Sequence, residues 1–375
     1  MTPTGPRIAG FRLRVAPATI LTVIVMAAIV YPALARSVQD SSLAIATAVL
    51  LALVMVLCVL IHELAHALTA RAFGGDVQEI ALTLWGGHTT YRSATIRPVA
   101  SMLISLSGPA ANIVLALLFS GAASLLREGL HSGQVVVSPF AVAALALIAY
   151  ASILNWALAL FNLLPGLPMD GGRAVESLLT ALGTPAWTAT TVTAWVGRVV
   201  AVAIVVIPLL RGLVAGQMPD LLVMIWALLI ASFLFRGAGE ALRESRLLRR
   251  SQGLSTEALM EPVGPWEPAA SLETALAAAG PQRKGLLVGA DGTVVLLDPD
   301  AVASVPPQQR GSVPASAVAL SLGTAPAIRA DLSGPDLLEA MVAADAAVFL
   351  VQRSDGRIIG AIRATSVNTA LGLDH

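Results

Sequence analysis

Apolar residues fall along the chain in long unbroken blocks, not in the alternating or one-faced patterns of soluble elements. Six blocks stand out, at about 16–35, 43–70, 99–126, 135–164, 187–210 and 221–235. At 1.5 Å of rise per residue, each is of the length that crosses roughly 30 Å of hydrocarbon, the last one drawn short. After about Arg250 the pattern changes: charge, glycine and proline rise, and no further block follows. The expected fold class is an α-helical polytopic membrane protein of six transmembrane helices over residues 1–250. A smaller α/β domain over residues 251–375 completes it.

That second part holds a weak internal repeat. Residues 286–295 and 349–358 each read as a strand, an Asp-Gly turn (Asp291-Gly292, Asp355-Gly356) and a second strand. A helical pattern precedes each copy, at 272–279 and 335–343, and another follows. Two such units fit one compact domain.

Composition agrees with the blocks. The 375 residues are 56% hydrophobic and 12% charged, against about 25% charged in an ordinary soluble domain. Formal net charge is zero, which gives no sign of a nucleic-acid partner. Cys58 stands alone, so no intramolecular disulfide is expected. Arg7, Arg12 and Arg14 ahead of the first block imitate the start of a signal peptide. No small-residue cleavage site clearly follows, so a retained first helix is expected. Arginines also cluster between blocks two and three (Arg71, Arg92, Arg97) and after block six, while the opposite loops carry one each. Both termini are therefore expected in the cytoplasm, in a cell membrane, with the end of block two facing the same side.

Candidate chemistry lies at that end, in His62-Glu63-Leu64-Ala65-His66. An ionisable group at mid-bilayer costs roughly 2.5–3.5 kcal/mol on insertion scales, so these three need a reason. His62 and His66 sit one helical turn apart on one face and can together hold a zinc ion, with Glu63 placed to act on its water. Small structural zinc sites gain about 10–16 kcal/mol on binding, enough to offset the burial. Block four ends in Asn162-Leu163-Leu164-Pro165-Gly166-Leu167-Pro168-Met169-Asp170-Gly171-Gly172, which breaks the helix at the same depth. Topology thus offers Asp170 as a third ligand, where a catalytic zinc site wants three. The competing reading makes Asp170 the N-cap of an amphipathic helix over 174–182.

Block three contains Ser107-Gly108-Pro109-Ala110-Ala111-Asn112. Its small residues suit close helix contact, and Asn112 either bonds a neighbouring helix or lines the site. Between blocks two and three, residues 76–95 alternate around Gly86-Gly87 and read as a hairpin or edge strand, able to pair with an extended peptide. His88 in its turn is read as a surface residue. Cys58 shares the face of His62 but is read as a small hydrophobe.

Taken together, HELAH, Gly108-Pro109-Ala110-Ala111-Asn112 and Asn162 through Gly171 resemble the site-2 protease family of intramembrane zinc metalloproteases, in the group with a C-terminal CBS-domain pair. The resemblance implies Zn2+ held by His62, His66 and Asp170, with Glu63 as general base. It implies Asn112 and Asn162 as polar groups near the substrate. The substrate would be a transmembrane segment of a membrane-tethered regulator such as an anti-sigma factor, reached within the lipid of the membrane. The tail's likeness to a CBS pair implies adenine nucleotide as a ligand. The usual contact pattern is incomplete, however, at Val295/Asp298 and at Arg363/Ser366, so a homodimerising role stands beside it. A CBS-regulated metal or ion transporter is the alternative function.

Overall fold

The computed structural model describes residues 7–83, 86–92, 97–279 and 286–373. Its contacts divide the chain into two units, Met1–Arg243 and Glu244–His375. Among the described residues, six helices are long and apolar enough to cross a membrane: α1 (Ala18–Ser37), α2 (Ser41–Ala72), α3 (Pro98–His131), α4 (Pro139–Asn162), α6 (Ala186–Val214) and α7 (Leu221–Ser251). Each coincides with one of the apolar blocks, and the sixth runs well beyond the expected 235. Between α4 and α6 comes the short α5 (Asp170–Ala181).

Burial on these helices is inverted relative to a water-soluble bundle. On α3 the buried positions are mostly small or polar, including Ala100, Gly108, Asn112, Ala116 and Ala123. Large apolar side chains such as Leu57, Leu118, Leu125, Ile153, Leu160 and Val199 are half or more exposed. Helices that turn leucine outward and alanine inward are solvated by lipid, since close backbone approach rather than the hydrophobic effect joins helices there. The protein is a multi-pass membrane protein.

A four-stranded sheet in the order β1-β2-β3-β4 accompanies the helices. β3 (Asp76–Thr83) and β4 (Gly86–Arg92) form the expected antiparallel hairpin, with Ile80 opposite Thr89 and Leu82 opposite Gly87. Residues 84–85 and 93–96 of that hairpin lie outside the described residues, as does the side chain of His88. The N-terminal segment was expected only as a basic flank. It forms β1 (Arg7–Ile8) and β2 (Phe11–Val15), and β2 pairs in parallel with β3, Leu13 opposite Ile80. The reason is its period-two pattern: Phe11 packs on Ala67 and Ile80, while the guanidinium of Arg71 stacks over Phe11 and donates to the Ala9 carbonyl at 3.1 Å.

The second unit starts within α7 and continues through α8 (Thr256–Leu259) into the predicted repeat. The first copy is β5 (Gly264–Pro265), α9 (Leu272–Ala279), β6 (Leu286–Val288), β7 (Thr293–Leu297) and α10 (Pro299–Ser304), followed by β8 (Ala319–Thr324). The second is β9 (Ala327–Arg329), α11 (Gly334–Ala344), β10 (Val348–Gln352), β11 (Ile358–Arg363) and α12 (Ala364–Leu371). In both, the first strand pairs in parallel with the second and the second antiparallel with the third. Leu286 and Val294 of one copy pack on Val348, Leu350 and Ala361 of the other, which joins the two through one apolar seam. Within the two incomplete patterns, Asp298 caps α10 and Arg363 is paired with Glu261 at 2.7 Å.

Candidate metal centre

His62 and His66 lie on one face of α2, rings 4.7 Å apart and edge-on, both buried. Asp170 reaches them from the start of α5. Its Oδ2 is 3.2 Å from His62 Nε2 and 3.3 Å from His66 Nε2, and the two Nε2 atoms are 3.1 Å apart. Asp170 is the first helical residue of α5, with Met169 at the cap, so the helix begins four residues before the expected 174 and Asp170 is not its cap. Its carboxylate is left free to face the histidines.

Each imidazole is tied at its other nitrogen. Asn155 on α4 donates from Nδ2 to the Ala151 carbonyl, which can only accept, at 2.8 Å. Its Oδ1 therefore accepts from Asn112 Nδ2 at 2.9 Å, and Asn112 Oδ1 is left to accept from His62 Nδ1. His66 Nδ1 donates to the Ile104 carbonyl at 2.7 Å. In the neutral rings both Nε2 atoms thus carry lone pairs, and with the carboxylate they make three acceptors facing one point. Lone pairs crowded at 3.1–3.3 Å repel unless a cation lies among them.

The size of the triangle fits zinc. Tetrahedral bonds of about 2.0–2.2 Å separate ligand atoms by roughly 3.3–3.6 Å, and the observed edges lie at the short end of that range or just below it. Nitrogen partners behind the ring are also the usual device for orienting ligating histidines. Gly108 on α3 makes room: a Cβ there would stand 2.3 Å from His66 Nε2 and 2.7 Å from His62 Cε1. Read from sequence as a helix-contact residue, Gly108 is in fact clearance for the ring atoms.

Asp170 is held by backbone packed on backbone. Leu167 N donates to the Thr193 carbonyl of α6 at 3.2 Å, and a Cβ on Gly197 would stand 2.2 Å from the Leu167 carbonyl oxygen. Further along α5, Ser177 donates to Ser101 of α3 at 3.0 Å, and Glu176 accepts from Thr190 of α6.

Glu63 is buried beside the triangle. Thr89 of β4 donates to its Oε2 at 2.8 Å. A cavity of about 700 Å3 opens over the site, lined among others by Glu63, Asp170, Gly87, Asn162 and Arg173. Asn162 lies on that wall, its Nδ2 donating to the Leu158 carbonyl at 3.1 Å, and is not joined to the triangle by any hydrogen bond among the described residues. Asn112 is fully buried behind His62 and does not reach the cavity wall. Its expected place near the substrate is thus replaced by one behind a histidine. Cys58 is buried, takes a contact from Asn155 Nδ2 at 3.4 Å and is no part of the triangle. Sequence reading passed over Asn155, Thr89 and Arg173. Asn155 carried a signal, a polar residue within an apolar block one heptad before Asn162; Thr89 carried none.

The site and fold define a polytopic helical membrane protein with a buried two-histidine, one-aspartate centre next to a glutamate. The family pattern described as Peptidase family M50 matches residues 50–207, so the resemblance read from the motifs holds over that stretch. The chain is 32% identical over 189 residues to the putative zinc metalloprotease Rip3 of Mycobacterium tuberculosis, covering 50% of this chain and 45% of that one. It is 29% identical over 255 residues to the putative zinc metalloprotease sll0528 of Synechocystis, 65% and 62% of the two chains. The chain thus spans about half of the one relative's length and three fifths of the other's. Among solved structures, the site-2 protease from Methanocaldococcus jannaschii aligns with a TM-score of 0.41 at 22% identity, over 63% of this chain and 93% of that one.

Proposed function

We propose that the protein is an intramembrane zinc metalloendopeptidase that hydrolyses a peptide bond in the transmembrane segment of a membrane-tethered regulator. The observation that carries this is the triangle of His62 Nε2, His66 Nε2 and Asp170 Oδ2, with edges of 3.1–3.3 Å, beside Glu63 under an open cavity. His62, His66 and Asp170 are the metal-holding residues. Bound there, zinc supplies Lewis acidity toward a scissile carbonyl and toward water.

The chain's own groups do the remainder. Glu63 takes the proton from the attacking water and passes it to the leaving amine. The cavity's polar wall, Asn162 included, receives the substrate backbone. A helical peptide bond is shielded by its own hydrogen bonds, so the substrate unwinds locally. β4 is the outer strand of its sheet, and an extended peptide can add to it there.

The centre lies toward the cytoplasmic end of α2, with both termini in the cytoplasm of a cell, on the arginine distribution. Residues 1–250 form the peptidase part and 251–375 a CBS pair. The occupied positions at Asp298 and Arg363 favour dimerisation over adenine nucleotide for that pair.

The test is the full chain reconstituted with zinc in liposomes, together with a panel of single-span peptides carrying a Gly-Pro break. Intact protein should cut at least one within its apolar segment; Glu63→Gln should keep its zinc and cut none. Cleavage retained by Glu63→Gln, or no cleavage by fully metallated protein, would remove the proposal.

A further inference from the structure

We infer that Thr89 is a positioning residue for the glutamate, so that the strand offered to the substrate and the aim of the base are one rigid piece. This rests on the peptidase reading above. Among the described residues, no hydrogen bond from its own helix holds the Glu63 carboxylate. Its Oε2 accepts from Thr89 Oγ1 at 2.8 Å, and the same hydroxyl lies 3.1 Å from the Glu63 carbonyl oxygen. A hydroxyl has one proton, and the shorter contact to the charged oxygen takes it.

On the other side the carboxylate meets Gly87. A Cβ on Gly87 would stand 2.4 Å from Glu63 Cγ and 2.7 Å from Oε1. Residues 87 and 89 are two apart, so both present the same face of β4 to Glu63. One face of the strand therefore clasps the base: bare backbone against Oε1, a hydroxyl donor at Oε2. Its outer edge is the one that a peptide can join, since among the described residues β4 ends the sheet. A peptide registered on that edge is registered against Glu63 by the same main chain.

Bulk alone does not set this arrangement. Valine has threonine's shape without the donor, so Thr89→Val leaves the packing and removes the hydrogen bond. Serine keeps the donor and drops a methyl. The reaction is run with the full chain in liposomes, on the single-span peptide that intact protein cuts fastest. Thr89→Val should lower kcat about 10- to 100-fold, the scale of a sub-ångström to 1 Å misplacement of a reacting group. KM and zinc content should stay within about 2-fold of intact protein, a margin set by assay scatter and far below the decade worth about 1.4 kcal/mol. Thr89→Ser should restore kcat to within about 3-fold, against the 10-fold that each 1.4 kcal/mol represents.

Unchanged kcat in Thr89→Val overturns the inference, and so does a rise in KM at constant kcat. A loss that serine does not restore overturns it too, because the residue would then matter for packing alone. Failure of intact, metallated protein to cut any peptide strikes the peptidase reading instead, which keeps the two separable.

Discussion

Replacing Gly108 by alanine tests whether the triangle is a metal site or merely a polar patch. The added methyl would sit 2.3 Å from His66 Nε2 and 2.7 Å from His62 Cε1, and real contacts of this kind stay beyond 3.0 Å. The His66 ring must therefore move by about 0.7 Å and the His62 ring by about 0.3 Å, from positions whose metal distances tolerate about 0.2 Å. Disturbing only the groups behind a ligand already costs 10- to 100-fold in metal affinity. Displacing a ligand atom itself should cost at least about 100-fold, roughly 2.7 kcal/mol. Gly121 lies on the same helix with open space where its Cβ would be, so Gly121→Ala is the matched control. It should be neutral or slightly stabilising, as alanine is the better helix former. The assay is zinc retained by the full chain in detergent after equilibration against graded chelator, with thermal melts of the apo and zinc-loaded forms. Apo Gly108→Ala should melt at or below the apo control, and zinc should raise the midpoint of the control but not of Gly108→Ala. Equal zinc retention by Gly108→Ala and intact protein would refute the reasoning outright.

Other substitutions probe the remaining sides of the site. Asp170→Asn keeps the shape and loses the charge, so zinc retention in the chelator titration should fall by about 10-fold or more, on the scale of a charge-assisted contact. Asn155→Leu, which never touches the triangle, should weaken zinc about 10- to 100-fold by freeing Asn112 and with it His62 Nδ1. Gly197→Ala puts a methyl 2.2 Å from the Leu167 carbonyl oxygen, so it should push away the segment carrying Asp170 and lower zinc content while leaving the histidines in place. For Glu63→Gln, zinc binding should persist within about 3-fold while cleavage drops by 100-fold or more, the span general base catalysis covers.

Much of this was legible because hydrocarbon punishes polar groups so consistently. The six spans show as blocks for that reason, and within them His62, Glu63, His66 and Asn112 stand out as residues that need partners. Asp170 could be placed only by depth, since nothing local separates a ligand from a helix-starting aspartate. What escaped has physical causes. The alternation Phe11-Arg12-Leu13-Arg14-Val15 is a strand signal five residues long, and three arginines before a span made it look like a flank. Thr89 matters through the register of β3 on β4, which no short pattern encodes. Gly108 was read through the usual role of small residues between membrane helices, while its true neighbours, the two imidazoles, come from another helix.

The direction of the hydrogen bonds behind the site explains why the polar residues come as a set. A helix carbonyl can only accept, so Ala151 orients Asn155, Asn155 orients Asn112, and Asn112 decides which nitrogen of His62 bears the proton. The second hydrogen on Asn155 Nδ2 goes to sulfur, Cys58 Sγ at 3.4 Å, which leaves the amide no reason to flip. Asn112 and Asn155 are both fully buried, where an unpaired amide would cost on the order of 1–3 kcal/mol. Removing any one link leaves the next without a partner, so each asparagine is tolerable only because the others are present. The chain ends on a lone pair aimed at Asp170, and a second histidine, oriented by the Ile104 carbonyl, ends the same way. A fold that builds three acceptors face to face has arranged repulsion at its centre. Such an arrangement is stable only around positive charge, and a dication at its centre meets all three acceptors at once while Ile104 and Asn112 take the Nδ1 protons on the far side.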